Sequence, residues 1–186
     1  LAHEGVVGRC TKGFDVLVAA LATLSDLPWH LTIAGDRGRD AKAAAQLDGD
    51  IARLRLGERV TVLGAVSAQR IAELYAEADI FVLPCRIDDS GDRDGIPNVL
   101  AEAMETGLAV VSTNVSGIPE LVSDGENGLL IAPDNVHGLA DALERLAGNA
   151  ALREQLGKAA IATISEKFDA DRTILQMDRL FTETLA

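Results

Sequence analysis

Short apolar runs alternate with helix-periodic segments along most of the chain. The runs are Gly5–Val7, His30–Ala34, Val60–Leu63, Ile80–Leu83, Ala109–Ser112 and Gly128–Ile131. They are rich in Val, Ile and Leu and bounded by Gly, Asp or Pro, the pattern of strands buried on both faces of a parallel sheet. Between them, helical patterning covers Gly13–Leu24, Ala41–Leu54, Ala68–Ala76, Pro97–Thr106 and a short turn from Pro119. This β–α alternation predicts an α/β fold: a doubly wound, Rossmann-like parallel sheet of about six strands with helices on both faces.

The last third changes character. Val136, Leu139, Ala140, Leu143 and Leu146 follow helical spacing after the start signal Pro133-Asp134-Asn135. Leu152, Leu156, Ala160 and Ile164 predict a second helix, and Ile174, Met177, Phe181 and Leu185 a third, with Met177 and Phe181 as packing residues.

Composition narrows the function classes. With 186 residues the chain suffices for one domain with a sizeable core. Hydrophobic residues at 48% and charged residues at 25% exclude a disordered class. No apolar run approaches the roughly 18 residues of a membrane helix, and the start lacks a signal-peptide pattern. The two cysteines, Cys10 and Cys85, are too few for a disulfide framework and point to a reducing compartment. The chain opens on Leu1 rather than Met, which reads as a piece of a longer polypeptide or a processed or partly recorded start.

The net charge is −12, from 17 Lys+Arg against 29 Asp+Glu. A nucleic-acid partner is thereby disfavoured, because binding it rests on basic residues that neutralise phosphates. A small anion is not excluded. Screening acts over about 8 Å at physiological salt, so a local cationic pocket can outweigh the overall field.

Ligands of open α/β sheets sit beyond the C-terminal ends of the strands, at a switch point. Two stretches in that position carry candidate chemistry. Pro84–Met104 is a long polar loop that leaves a buried strand and enters a helix. Pro97 suits the first helical turn and Gly95 permits a backbone bend. The helix start, Gly95-Ile96-Pro97-Asn98, offers N–H groups and a positive dipole end to a phosphate. Glu102 lies one turn beyond Asn98, about 6 Å along the axis, where a carboxylate accepts both hydroxyls of a vicinal diol. Asp94, just ahead of the helix, is placed to meet the group on the far side of such a diphosphate. The plainer reading makes Glu102 a solvated helix acid and Asp94 a helix-start acid favourable to the dipole.

The other stretch, Gly8-Arg9-Cys10-Thr11-Lys12-Gly13, places two cations after the first strand. It matches neither the dinucleotide fingerprint nor the P-loop, and the plainer reading is two surface cations. His3, His30 and His137 lack partners at metal or triad spacing, and Cys85 reads as a small buried thiol. Asp88 and Asp89 read as solvated loop acids. Ser116-Gly117-Ile118-Pro119-Glu120 reads as a structural turn into a short helix, with its neighbourhood bordering a sugar pocket as the alternative.

The ordered segments Val7-Gly8-Arg9…Lys12-Gly13-Phe14-Asp15, Ile33-Ala34-Gly35-Asp36, Ala78-Asp79-Ile80-Phe81-Val82-Leu83-Pro84 and Asp94–Met104 resemble one family. So does the run Gly107–Ser112 with Gly117-Ile118-Pro119-Glu120-Leu121-Val122 and Asn127-Gly128-Leu129-Leu130. The resemblance is to the C-terminal, donor-binding domain of retaining GT-B glycosyltransferases of group 1, family 4, and covers nearly the whole chain. It implies a single domain over residues 1–186 that binds a nucleoside-diphosphate sugar as substrate, without a metal or other cofactor. Arg9 and Lys12 would face the donor diphosphate and stabilise the leaving group. The E-x7-E motif of the family matches Asp94 and Glu102, the first on the transferred sugar and the second on the ribose. Asp94 is one methylene shorter than the usual Glu. Backbone N–H groups of Gly95, Ile96, Pro97's neighbours and Asn98 would meet the phosphates, and Gly35 and Leu63 would border the base.

The family's two-domain architecture implies an acceptor, a glycan or lipid-linked saccharide, brought by an N-terminal domain that this chain lacks. It also implies a cytoplasmic location, with peripheral contact at the inner membrane face left open, and little transfer by this chain alone. Two other readings stay open: a nucleotide-sugar-binding module without transfer, and an epimerase-type GT-B enzyme.

Overall fold

Residues 80–83 show why the sheet is central. Ile80 and Val82 project into one apolar cluster and Phe81 and Leu83 into another, as strand alternation requires of a strand covered on both faces. The structure, a computed structural model, describes residues 13–38, 40–87 and 95–167, together with the course of the backbone over residues 3–7. Its elements are β1 (His3–Val7), α1 (Phe14–Thr23), β2 (Trp29–Ala34), α2 (Ala41–Arg53), β3 (Val60–Gly64), α3 (Ala68–Glu77) and β4 (Ile80–Leu83). They continue with α4 (Asn98–Glu105), β5 (Ala109–Thr113), α5 (Ile118–Leu121), β6 (Leu129–Ile131), α6 (Val136–Ala147) and α7 (Ala150–Lys167).

Among the described residues the strands form one six-stranded sheet in the order β3-β2-β1-β4-β5-β6. All pairings are parallel. The order reverses direction between β1 and β4, which defines the switch point. On one face α1, α2 and α6 cover Leu31, Ile33, Val82 and Val111. On the other, α3, α4 and α5 cover Phe81, Leu83 and Val110. Helix α7 contributes to both clusters, Leu156 to the first and Ala160 to the second. It lies so close to the α4–β5 turn that a Cβ on Gly157 would stand 2.0 Å from the Gly107 carbonyl oxygen.

Sequence and structure differ at a few edges. The proposed strand at Gly128 begins at Leu129, because Gly128 forms an isolated bridge with Asp124 instead. Pro97 is not inside α4. It is the residue before it, with φ −65° and ψ 123°, because its extended ψ keeps it out of the helix while its fixed φ still points the chain into the first turn. The helix over Ile174–Leu185, with Met177 and Phe181, lies outside the described residues. Among those described, no helix is long and apolar enough to cross a membrane.

Candidate functional site

The C-terminal edge of the sheet beside the switch point is assembled by backbone packing. Gly13, the cap of α1, has φ +110°, and a Cβ there would stand 1.7 Å from the carbonyl oxygen of Pro84. Only glycine permits that approach, so the start of α1 rests directly on the chain leaving β4. The same exit is fixed from the other side. The buried Ser112 hydroxyl donates to the Leu83 carbonyl at 2.7 Å, and the Thr113 hydroxyl donates to the Cys85 carbonyl at 2.5 Å. Buried hydroxyls with partners are stable where unpartnered ones are not, so the polar end of β5 serves to hold the β4 exit.

Arg86 then spans this edge. Its guanidinium donates to Asp15 in the first turn of α1, and its Nε lies 3.2 Å from Asp134 between β6 and α6. Asp134 itself holds a left-handed φ of 58°. One side chain therefore ties β4, α1 and the approach to α6 together.

Helix α4 opens toward the same edge. Its cap, Pro97, has no side-chain acceptor, and the Leu100 N–H donates to the Pro97 carbonyl at 2.9 Å. Leu100, Ala103 and Met104 are fully buried and fix the rotation of the helix about its axis. Val99 is half-buried, and Asn98 and Glu102 face outward on the remaining side, as their spacing predicts. A Cβ on Gly95 would meet no described atom within 4 Å. Gly117 closes the other flank, where a Cβ would lie 3.1 Å from Ile96 Cγ1. The Ser116–Glu120 turn, read from the sequence as structural, thus packs against the Gly95–Ile96 backbone, with Ser116 at φ 52°.

Glu102 has a partner that the sequence did not indicate. The Tyr75 hydroxyl of α3 is 3.3 Å from Glu102 Oε2 and 3.4 Å from the Val99 carbonyl oxygen. Burial, with the Glu102 carboxylate adding to it, pushes the Tyr75 phenol well above its ordinary range, so it remains a neutral donor.

Gly35 and Leu63 are brought to neighbouring strand ends, where the Gly35 N–H donates to the Gly64 carbonyl at 2.8 Å. A hollow opens beside Gly35 between Phe14, Ile33, Asp36, Ala43 and Val62. Leu63, 38% exposed, is the residue after Val62 and stands on the opposite face of the strand. Arg9, Lys12 and Asp94 lie outside the described residues. Among those described, no group of three or more His, Cys, Asp or Glu side chains converges to hold a metal ion. His30 is held by Thr61, with Nε2 and Oγ1 2.8 Å apart, and Cys85 is buried, each as the plainer reading has it.

Comparison with known proteins places these features. A family model described as glycosyl transferases group 1 matches residues 4–149. An exopolysaccharide phosphotransferase of Streptomyces coelicolor is 35% identical over 178 residues, covering 94% of this chain and 18% of that protein. The amylovoran biosynthesis glycosyltransferase AmsK of Erwinia amylovora is 38% identical over 168 residues, covering 88% of this chain and 40% of its own. The chain therefore spans less than half the length of both relatives. Among solved structures, HepE of Anabaena, crystallised with UDP and glucose, superposes with a TM-score of 0.79 at 27% identity. That match covers 97% of this chain and 47% of HepE.

Proposed function

Because the chain belongs to the group 1 glycosyltransferases, with the GT-B Rossmann-like fold, we propose that it is the donor-binding domain of a retaining enzyme that uses a nucleoside-diphosphate sugar. The observation that carries this reading is the placement of Glu102. It is an outward carboxylate one turn inside a helix whose cap has no side-chain acceptor, at the edge where the sheet order reverses. The diphosphate sits at the N–H groups of Gly95, Ile96 and Asn98, where the dipole and backbone donors favour an anion. Glu102 accepts the ribose hydroxyls. Arg9 and Lys12, on the stretch after β1, neutralise the charge that develops on the leaving diphosphate, and this role requires no metal. Asp94 holds hydroxyls of the transferred sugar, and Gly35 and Leu63 border the base.

The acceptor, a glycan or lipid-linked saccharide, is brought by a further domain, in the cytoplasm or at the inner face of the membrane. The chain alone binds donor and transfers little or no sugar. The overlap with HepE makes UDP the first nucleotide to try.

Titration calorimetry with UDP, GDP, ADP and their sugars tests the reading. Saturable binding of one nucleoside diphosphate is expected, and Glu102→Ala removes a charge-assisted contact that contributes about 1.5–3 kcal/mol. The corresponding loss in affinity is roughly tenfold to a hundredfold. An affinity that does not change in Glu102→Ala rules out the ribose assignment.

A further inference from the structure

We propose that Tyr75 is a positioning residue for Glu102, its buried hydroxyl holding one carboxylate oxygen so that the other is presented to the ribose. This rests on the reading of Glu102 as the ribose acceptor.

The geometry makes Tyr75 a fixed post. Only 6% of the residue is exposed, and its ring meets that of the fully buried Phe81 edge-on, with centroids 5.9 Å apart and planes at 73°. Phe81 belongs to β4, at the switch point. The hydroxyl therefore stands at a place set by the sheet rather than by the mobile end of a surface side chain. Glu102, by contrast, is exposed, and an exposed glutamate surrenders rotamer freedom when it grips a ligand. A contact that holds it beforehand removes part of that cost.

Two acceptors compete for one phenolic hydrogen: Glu102 Oε2 at 3.3 Å and the Val99 carbonyl at 3.4 Å. The charged carboxylate is the stronger acceptor. Both separations exceed the usual 2.7–2.8 Å of an O–H···O bond, so the hydroxyl guides the carboxylate without locking it. Burial, reinforced by the carboxylate, raises the phenol above its usual value near 10, so the donor persists throughout the neutral range. A carboxylate held through one oxygen keeps lone pairs for two further hydroxyls, the number a ribose diol offers.

The test compares the unsubstituted chain with Tyr75→Phe, Glu102→Gln and the double variant. Each is titrated with the tightest binder among UDP, GDP and ADP, and with its 2′-deoxy counterpart. The phenylalanine keeps the ring packing and removes only the hydroxyl. The expected result is a loss of about fivefold in ribonucleotide affinity, with the preference for ribose over 2′-deoxyribose falling by a similar factor. In the Glu102→Gln background, Tyr75→Phe has no further effect. If Tyr75→Phe leaves that preference intact while Glu102→Gln lowers it, the positioning role is overturned and the donor site stands. If Glu102→Gln also leaves it intact, or no nucleotide binds, the donor site falls and the positioning role with it.

A second measurement does not depend on the folding of Tyr75→Phe. Tyr75 is the only tyrosine of the sequence, so phenolate absorbance on alkaline titration reports it alone. Removing the carboxylate charge in Glu102→Gln is expected to move its ionisation to lower pH, and an unmoved midpoint overturns the contact.

Discussion

The helices that follow the sheet's central strands begin differently from those that follow its outer strands. After β2, β3 and β6, each helix start is met by a side chain from its own cap. The Asp40 carboxylate accepts from the Ala43 N–H at 2.9 Å, the Ser67 hydroxyl from Arg70 N–H at 3.2 Å, and the Asn135 amide oxygen from Gly138 N–H at 2.9 Å. After β1, β4 and β5 the caps are Gly13, Pro97 and Gly117, none of which has a side-chain acceptor. Cap side chains stabilise helices by about 1 kcal/mol each, so the centre forgoes what the flanks use. What the centre gains is close approach: Gly13 against Pro84, Gly117 against Ile96. The flanking helix starts are met by their own side chains, whereas the central ones present first-turn N–H groups that no cap side chain meets.

The largest effect is expected where the centre is packed most tightly. Gly13→Ala drives a Cβ into a backbone oxygen that cannot rotate away, at a φ that L-residues rarely hold. Denaturant unfolding is expected to show a loss of about 3 kcal/mol or more, and the melting point to fall by roughly 10 °C. A loss below about 1 kcal/mol would mean that α1 does not rest on the β4 exit as described.

A carboxylate placed at the central cap tests the contrast directly. The backbone at Pro97, φ −65° and ψ 123°, is one that an N-cap aspartate adopts. In Pro97→Asp the new carboxylate occupies the first-turn N–H groups and repels a phosphate. Nucleoside diphosphate affinity is expected to fall about tenfold or more, while thermal stability holds or rises. Unchanged affinity would move the diphosphate away from this helix tip.

How much of this could be read in the sequence follows from how local each determinant is. Ile80–Leu83 and Ala109–Ser112 were legible as strands because burial on both faces leaves a run with no polar position until Ser112. The tip of α4 was legible because a glycine, a proline and a buried Leu100-x-x-Ala103-Met104 stripe are neighbours in sequence. Pro97 does not fix the boundary of α4 to the residue, since a preset φ suits the cap as well as the first turn. Tyr75 was not legible. Beside Leu74 on a helical stripe it reads as core, and the core it is, but its hydroxyl reaches a carboxylate on another helix. Arg86 was equally silent, because Asp15 and Asp134 lie on elements far from it in the chain. Sequence periodicity records which face is buried; it carries no record of which polar atoms meet across helices. The assignments of Arg9, Lys12 and Asp94 rest on the family resemblance.

The smallest expected effect tests whether the flanks are independent of the centre. Ser67→Ala removes the cap of α3, leaving one first-turn N–H to water. The helix is held farther along by Leu74 and Tyr75, both buried, so fraying stays within the first turn. The loss should be about 1 kcal/mol, a melting point lower by roughly 3 °C, with nucleotide affinity unchanged. Because α3 also carries Tyr75, this variant separates the helix's general stability from its contact with Glu102. If Ser67→Ala weakened nucleotide binding as much as Pro97→Asp, α3 would be coupled to the site along its whole length, and the contrast between side-chain-capped flanks and an uncapped centre would not separate stability from binding.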